Sequence, residues 1–128
     1  MPTYRLAAAA ALLGISDDTV RRWADAGRLP THTDEDGRRV VQGSDLATCA
    51  VALAGDPSGP DATSARNRFP GIVTRVLRGD VVSQVEVQSG PHRLVSLLTT
   101  EAVDELALVP GTPAVASVKS TNVVVELA

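Results

Sequence analysis

The sequence has very few aromatic residues and almost no cysteine. Of its 128 residues only 2% are aromatic, with one Trp, one Tyr and one Phe, whereas 44% are hydrophobic. The core therefore has to be built from Val, Leu, Ile and Ala. The single cysteine, Cys49, excludes a disulfide within the chain and favours a reducing, cytoplasmic location.

Long apolar runs and a net positive charge are also missing. The run from Ala7 to Leu13 is far shorter than the roughly 18 residues that a membrane-spanning helix needs, and it lacks the features of a secretion signal. We therefore expect no membrane partner. The formal net charge is −3, so any binding of nucleic acid has to depend on where individual arginines lie. No paired carboxylates and no nucleophile with a base stand out, which predicts a protein that is not an enzyme and has no catalytic residues.

The character of the sequence changes at Gly55. Residues 1–54 contain Ala-rich segments with helical spacing, and residues 64–128 contain Val-rich segments that alternate. Residues 55–63 lack apolar anchors and include four Pro or Gly, a composition typical of an exposed linker. The sequence therefore predicts two domains, 1–54 and 64–128.

The first domain is predicted to be mostly α-helical. Ser16 is a good N-cap for the second of three helices, Gly14 can end the first in the left-handed conformation, and Ser44 can cap the third. A β-hairpin with Asp36-Gly37 at its turn precedes the third helix. The predicted helices cover residues 6–13, 17–26 and 45–53, and the hairpin covers residues 31–41.

The second helix carries the residue types that read DNA. Its apolar face, with Val20 and Trp23, should pack on the first helix, leaving Thr19, Arg21 and Arg22 on the surface. Arginine binds guanine in bidentate fashion, so Arg22 and Thr19 are the candidates for base contact and Arg21 for phosphate contact. The alternative is an ordinary solvated helix on which both arginines pair with Asp18 and Asp25.

Residues 10–30, AALLGISDDTVRRWADAGRLP, together with Gly37-Arg38-Arg39 and Asp45-Leu46, resemble the MerR and excisionase-like winged-helix family. The resemblance covers about residues 4–54. It implies that the second helix enters the major groove of double-stranded DNA and that Arg38 and Arg39 on the wing contact the backbone. This chain departs from the family at residues 33–36, where Thr is followed by Asp, Glu and Asp, which phosphates would repel.

The second domain is predicted to be an all-β barrel of the OB type with one short helix. Thr99 is a plausible N-cap for that helix, which should direct Val103, Leu106 and Ala107 inward and end at Pro110-Gly111. On the second strand Val81, Ser83, Val85 and Val87 share one face. The five predicted strands cover residues 72–77, 81–88, 92–98, 114–118 and 123–127.

Hydroxyl groups, backbone N–H groups and one cation occur at three places in this domain. They are Ser64 to Asn67, Thr99, and Lys119 to Thr121, and Lys119 is the only lysine of the chain. Such donors suit a tetrahedral dianion, for which an ammonium group is a compact point charge. The alternative is that they are surface turns capped by Ser and Thr.

Residues 64–128 resemble the molbindin (Mop) domain, also called TOBE. The similarity is carried by SARN at 64–67, GIV at 71–73, Leu98-Thr99, and KSTNV at 119–123. It implies an OB-type barrel that forms at least a dimer and binds molybdate or tungstate between subunits. Ser64, Arg66, Lys119 and Ser120 would come from one subunit and Thr99 from its neighbour. Ala102, where the family commonly has serine, would contribute only its backbone N–H.

Together the two resemblances imply a molybdate-responsive DNA-binding transcriptional regulator without an organic cofactor. Two alternatives stay open: a molybdate storage or buffering protein, and an architectural DNA-binding protein whose barrel only oligomerises. His32, His92 and Cys49 lack partners of metal-ligand type nearby, so we expect no metal-cation site.

Overall fold

The computed structural model describes residues 2–54 and 63–128, which form two separate compact units. Of the predicted linker, residues 55–63, only Thr63 lies within these ranges, so the boundaries between the predicted domains stay a prediction. In neither range is there a helix with the length and apolar character to cross a membrane.

The first unit consists of three helices and a small antiparallel sheet. Its elements are β1 (Thr3–Arg5), α1 (Leu6–Leu13), α2 (Asp17–Asp25), β2 (His32–Thr33), β3 (Arg39–Gln42) and α3 (Gly43–Ala54). The strand order is β1-β3-β2. Small and branched side chains fill the core, among them Ala9 of α1, Val20 of α2, Leu29 after α2 and Val41 of β3. The three predicted helices and the hairpin are confirmed, whereas β1 was not predicted because three residues carry too little pattern.

Local capping chemistry fixes the turn between α1 and α2. Gly14 ends α1 with φ 70°, a left-handed conformation that costs glycine little. The Ser16 side chain then accepts a hydrogen bond from the backbone N–H of Thr19 at 3.2 Å. Both predictions are confirmed, and the result is the tight helix-turn-helix connection that they imply.

The start of α3 differs from the prediction. The helix begins at Gly43, so Ser44 lies inside its first turn and is not the N-cap. The Gly43 N–H donates to the carbonyl oxygen of Pro2 at 2.8 Å, so a contact with the chain beside β1 sets this boundary. This hydrogen bond joins distant parts of the sequence, so it could not be predicted from the residues around Gly43.

The second unit is a four-stranded antiparallel sheet with one short helix. Its elements are β4 (Asn67–Leu77), β5 (Val82–Ser89), β6 (His92–Thr99), α4 (Thr100–Glu105) and β7 (Pro113–Val118), followed by a 3₁₀ turn at Ser120–Asn122. The strand order is β6-β5-β4-β7. Val73, Val85, Val87 and Val103 form the buried core. The predicted inward face of β5 is confirmed for Ser83, Val85 and Val87.

The fifth predicted strand is wrong. Residues 123–128 form neither strand nor helix, and Val124 and Val125 are 82% and 89% exposed. Within the described ranges the second unit is an all-β sheet with one short helix, as predicted, and its edge strands β6 and β7 are not hydrogen-bonded to each other. A strand needs a partner edge, and residues 123–128 pair with neither of the two edge strands of this sheet.

Three side-chain placements around α4 are also corrected. Leu106, which is 63% exposed, and Ala107 do not face inward as predicted. The helix ends at Glu105, well before Pro110-Gly111, and Ala107 has a left-handed φ of 52°. Leu108 packs against the core instead, and its N–H donates to the carbonyl oxygen of Val103. Val81 lies in the turn before β5 and is 73% exposed, so it does not share the inward face of that strand.

Candidate functional site

The pairing of β4 with β7 brings two of the predicted donor groups together. Asn67 and Val118 are Cα partners in this ladder, and the Asn67 side-chain amide donates to the carbonyl oxygen of Val118 at 3.1 Å. Ser64 and Arg66 lie within three residues before β4, and Lys119 and Ser120 are the two residues after β7. Four of the predicted anion-binding residues therefore meet at one end of the sheet.

This end of the sheet is positively charged and open to solvent. Ser64, Arg66, Lys119 and Ser120 are all exposed. The Arg66 guanidinium donates to the carbonyl oxygen of Thr63 at 3.3 Å. Across residues 2–54 and 63–128, neither Arg66 nor Lys119 forms a salt bridge with a carboxylate. Two cations and several hydroxyl and N–H donors are thus available to an anion.

Thr99 and Ala102 lie at the opposite end of the sheet. Thr99 pairs with Val82 at the start of β5, beside the end of β4. Since β4 has eleven residues, its two ends are about 30 Å apart at about 3.3 Å per residue. One chain therefore does not bring Thr99 to Lys119, and a site that contains both needs a second copy.

The geometry at the start of α4 determines which hydrogen-bonding groups of Thr99 and Ala102 are available to a ligand. The Thr99 side chain accepts a hydrogen bond from the Ala102 N–H at 3.1 Å, so its predicted role as N-cap is confirmed. The N–H of Ala102 is consequently occupied inside the protein. The Thr99 oxygen acts as an acceptor here, which leaves its hydroxyl hydrogen for an external acceptor.

A buried hydroxyl pair behind Thr99 was missed by the sequence analysis. Ser83 and Thr100 are 1% and 9% exposed, and their hydroxyl oxygens are 2.7 Å apart. Thr100 also donates to the carbonyl oxygen of Gly79 at 2.8 Å. The available signal was a serine in an inward row of valines on β5, where a polar side chain needs a partner.

The second unit contains two ion pairs, one at α4 and one between β5 and β6. Arg78, just after β4, holds Asp104 of α4 with two hydrogen bonds of 2.7 and 3.2 Å, which lower the pKa of the Asp104 carboxyl. On β5 the nearly buried Glu86 accepts from Arg93, and this hydrogen bond lowers the pKa of Glu86. The first pair joins α4 to the turn that contains Gly79.

In the first unit the predicted base-reading residues are neighbours on α2. Arg22 donates to the Thr19 hydroxyl at 3.4 Å, and that hydroxyl lies 2.8 Å from the Ser16 oxygen. Arg21 is exposed beside them. The alternative pairing of Arg21 and Arg22 with Asp18 and Asp25 is absent from the salt bridges of the described residues. Both guanidinium groups are therefore accessible on one helix.

The two hairpin arginines differ. Arg39 forms an ion pair with Asp25 of α2 at 2.8 Å, whereas the Arg38 side chain has no hydrogen-bond partner within the described ranges. Asp34 holds the hairpin turn, because its side chain accepts from the backbone N–H groups of Asp36 and Arg38. Glu35 and Asp36 are exposed at the tip.

Arg28, which no sequence pattern singled out, lies 4.5 Å from the ring centroid of Trp23 in a cation–π contact. This places a further cation next to the C-terminal end of α2. Among the described residues no group of three or more His, Cys, Asp or Glu is arranged to hold a metal ion.

Residues 63–125 match the TOBE domain family, and residues 3–48 match the helix-turn-helix domain family. Over 63 residues the chain is 33% identical to molybdenum-pterin-binding protein 2 of Clostridium pasteurianum, which corresponds to 48% of this chain and 93% of that protein. The chain belongs to the TOBE-domain family. It carries an N-terminal helix-turn-helix domain ahead of its TOBE domain.

Two further relatives match the TOBE domain. The molybdenum transport protein ModE of Herbaspirillum seropedicae is 41% identical over 63 residues, which span 48% of this chain but only 23% of that protein. A molybdate-binding protein from Sporomusa ovata has a solved structure with 31% identity and a TM-score of 0.49, covering 51% of this chain and 97% of the other.

Proposed function

We propose that this protein is a DNA-binding transcriptional regulator whose TOBE domain senses molybdate or tungstate. The main support is the combination, in one chain, of a helix-turn-helix domain with a TOBE domain whose relatives are named as a molybdenum transport protein and a molybdenum-pterin-binding protein. Arg66 and Lys119 also lie at the same end of the sheet, where their two positive charges suit the binding of an anion.

The proposed anion site uses donors and few acceptors. A tetrahedral dianion accepts hydrogen bonds at every oxygen, so it is stabilised by the Lys119 ammonium, the Ser64 and Ser120 hydroxyls, and backbone N–H groups near Arg66. The first N–H groups of the 3₁₀ turn at Ser120–Asn122 have no partner within the turn itself. The Ala102 N–H is already bonded to the Thr99 side chain, so we propose that it orients the Thr99 hydroxyl. The Thr99 hydroxyl itself then donates to the anion.

A second copy of the chain completes the site. Thr99 is too far from Lys119 within one chain, so in this proposal it reaches the anion from a neighbouring subunit. Molybdate then binds between two TOBE domains and favours the assembled form, since a ligand that binds only one state stabilises that state.

Apolar surfaces of the TOBE domain support this assembly. A groove of about 580 Å³ opens over the core between the edge strands β6 and β7, lined by residues such as Val85, Leu98 and Val115. The C-terminal tail carries Val124, Val125 and Leu127 almost fully exposed. We propose that this tail packs into the groove of a second copy, which removes both apolar surfaces from water.

The DNA-binding role is assigned to α2 and the hairpin. Thr19 and Arg22 face the bases, and Arg21 and Arg38 contact phosphates, with Arg39 as a weaker contributor because it is paired with Asp25. A dimer presents two such domains to a two-fold-symmetric site with half-sites roughly 34–36 Å apart or a multiple of that distance. If the anion changes DNA affinity by some factor, DNA has to change anion affinity by the same factor.

Calorimetric titration with molybdate, tungstate and sulfate tests the ligand. Wild type should bind at least one of these anions, and Lys119→Ala should bind it at least tenfold more weakly, about 1.4 kcal/mol. Arg75→Ala is a suitable control because it removes one exposed positive charge from the middle of β4. Equal affinity of wild type and Lys119→Ala would remove Lys119 from the site.

Fluorescence anisotropy with operator candidates, with and without the anion, tests the regulatory role. We expect the DNA dissociation constant to change on saturation with anion. Anion binding with no specific DNA binding would favour the storage or buffering alternative, and DNA binding with no anion binding would favour the architectural one.

A further inference from the structure

The hydroxyls behind Thr99 form a closed ring of hydrogen bonds. Thr100 donates to the Gly79 carbonyl oxygen at 2.8 Å, which uses its only hydroxyl hydrogen. The 2.7 Å contact between Ser83 and Thr100 must therefore be a donation from Ser83. The Ser83 oxygen in turn accepts from the Gly79 N–H at 3.4 Å. Each hydroxyl thus donates once and accepts once, so neither can reorient without breaking the ring.

The ring closes on a backbone position that has room only for glycine. A Cβ atom on Gly79 would lie 2.3 Å from the Val82 carbonyl oxygen, well inside contact distance. The Thr100 N–H adds a further bond of 2.8 Å to the carbonyl oxygen of Val81. The first residue of α4 is therefore bonded to both sides of the turn between β4 and β5.

Stability alone does not require this polar arrangement. Replacing both hydroxyl partners by apolar groups of similar shape, as in Thr100→Val combined with Ser83→Ala, can be nearly neutral for stability. What hydroxyls add is direction, because a hydrogen bond fixes an orientation that apolar packing leaves freer. The element oriented here is the start of α4, whose preceding residue is Thr99.

We propose that Ser83 and Thr100 are positioning residues for anion binding, which hold the Thr99 hydroxyl in the orientation that reaches an anion on a neighbouring subunit. This inference rests on the proposed function. Thr99 is exposed and is held from its own helix only by the 3.1 Å bond from the Ala102 N–H. The ring fixes Thr100, which follows Thr99 in the chain. It therefore also restricts the position of the Thr99 backbone, from which the side chain extends.

The test compares molybdate affinity and thermal stability in wild type and three variants of the whole 128-residue chain. Thr100→Val should weaken molybdate binding about tenfold, or about 1.4 kcal/mol, because the start of α4 loses its fixed orientation. Thr100→Ser keeps the hydroxyl and should bind within about twofold of wild type. Val87→Ala removes core volume in the same sheet without touching the ring, so it should lower Tm and leave the dissociation constant unchanged.

A double-mutant cycle separates positioning from general destabilisation. Thr99→Ala removes the group that the ring is proposed to orient. In that background Thr100→Val should have no further effect on molybdate affinity, since the two residues act through one contact. If Thr100→Val does not fold, Ser83→Ala replaces it and should weaken binding about threefold, because it removes two bonds of the ring but leaves Thr100 bonded to Gly79.

The outcomes are distinguishable. If wild type binds none of molybdate, tungstate or sulfate, the proposed function fails and this inference fails with it. If wild type binds but Thr100→Val binds equally well, only the positioning role is overturned. An equal loss in Thr100→Ser or in Val87→Ala would also overturn it, because the loss would then come from packing or stability. Additive effects of Thr99→Ala and Thr100→Val would show that Thr100 does not act through Thr99.

Discussion

The unequal environments of Arg38 and Arg39 lead to a quantitative prediction about DNA binding. The Arg39 guanidinium lies 2.8 Å from the Asp25 carboxylate, and both side chains are partly exposed, at 41% and 69%. Arg38 has no such partner in the described part of the chain. To neutralise a phosphate, Arg39 has to give up its ion pair, whereas Arg38 does not. We therefore expect Arg38→Met to weaken DNA binding more than Arg39→Met.

The magnitude follows from counterion release. Each phosphate neutralised on duplex DNA contributes about −0.9 to the slope of log affinity against log salt concentration. Loss of one contact thus makes the slope about 0.9 shallower, which corresponds to a difference of about 3.5-fold between 50 and 200 mM salt. We expect this full change for Arg38→Met and a clearly smaller one for Arg39→Met.

Asp25→Asn provides the matched control. It keeps the size of the side chain, removes the carboxylate, and frees Arg39, so DNA affinity should rise. In this background Arg39→Met should change the salt slope as much as Arg38→Met does. An exposed ion pair contributes only about 0–1 kcal/mol to folding, so all these variants should remain folded. Anisotropy titrations at four salt concentrations would refute the reasoning if Arg38→Met and Arg39→Met gave equal slopes in the wild-type background.

Three further predictions concern stability and assembly. Gly14→Ala should lower the free energy of unfolding by about 1–2 kcal/mol, measured by denaturant titration, because φ is 70° at this position; an unchanged midpoint would contradict it. The pKa of Glu86 is lowered by Arg93, so the carboxylate contributes stability that is present above its ordinary value of 4.5 and is lost as pH falls through the lower, folded-state pKa. Tm measured against pH should therefore fall less steeply below pH 4.5 in Glu86→Gln than in wild type. Deletion of residues 123–128 should yield monomers by light scattering, whereas a truncated chain that still dimerises would exclude the tail from the interface.

The parts of the fold that could be predicted from sequence are those controlled by nearest neighbours. Ser16 and Thr99 each precede a helix by one residue and bond to a backbone N–H three residues later, so their roles as N-caps follow from local chemistry. Ser44, like Ser16, is followed directly by an aspartate, which favours an N-cap. The hydrogen bond from Gly43 to Pro2 instead places the start of that helix one residue before Ser44, at Gly43. Local patterns identify a helix start only where no distant contact competes for it.

The alternating pattern of residues 123–127 illustrates a second limit. It favours a strand, but a strand forms only where another strand offers its hydrogen-bonding edge. In the single chain the tail stays exposed. Sequence pattern therefore reports a tendency to pair and does not say whether the partner lies in the same chain.

The candidate site was predictable only in part for the same reason. Residue types alone suggested three donor groups. The pairing of Asn67 with Val118, 51 positions apart, decides that two of these groups meet and that Thr99 does not join them. The Ser83–Thr100 ring also depends on a long-range register, although a lone serine among inward valines marked one of its members.

The acidic tip of the hairpin has a consequence for how tightly one domain can hold DNA. Glu35 and Asp36 project from a turn that Asp34 keeps rigid, so their charges cannot easily move away from an approaching phosphate. A single helix-turn-helix domain should then hold DNA only briefly. Two domains on one assembly raise each other's local concentration, and retention becomes strong only when both are engaged. For the DNA-binding regulator proposed above, occupancy of a DNA site would thus depend steeply on how many chains are assembled.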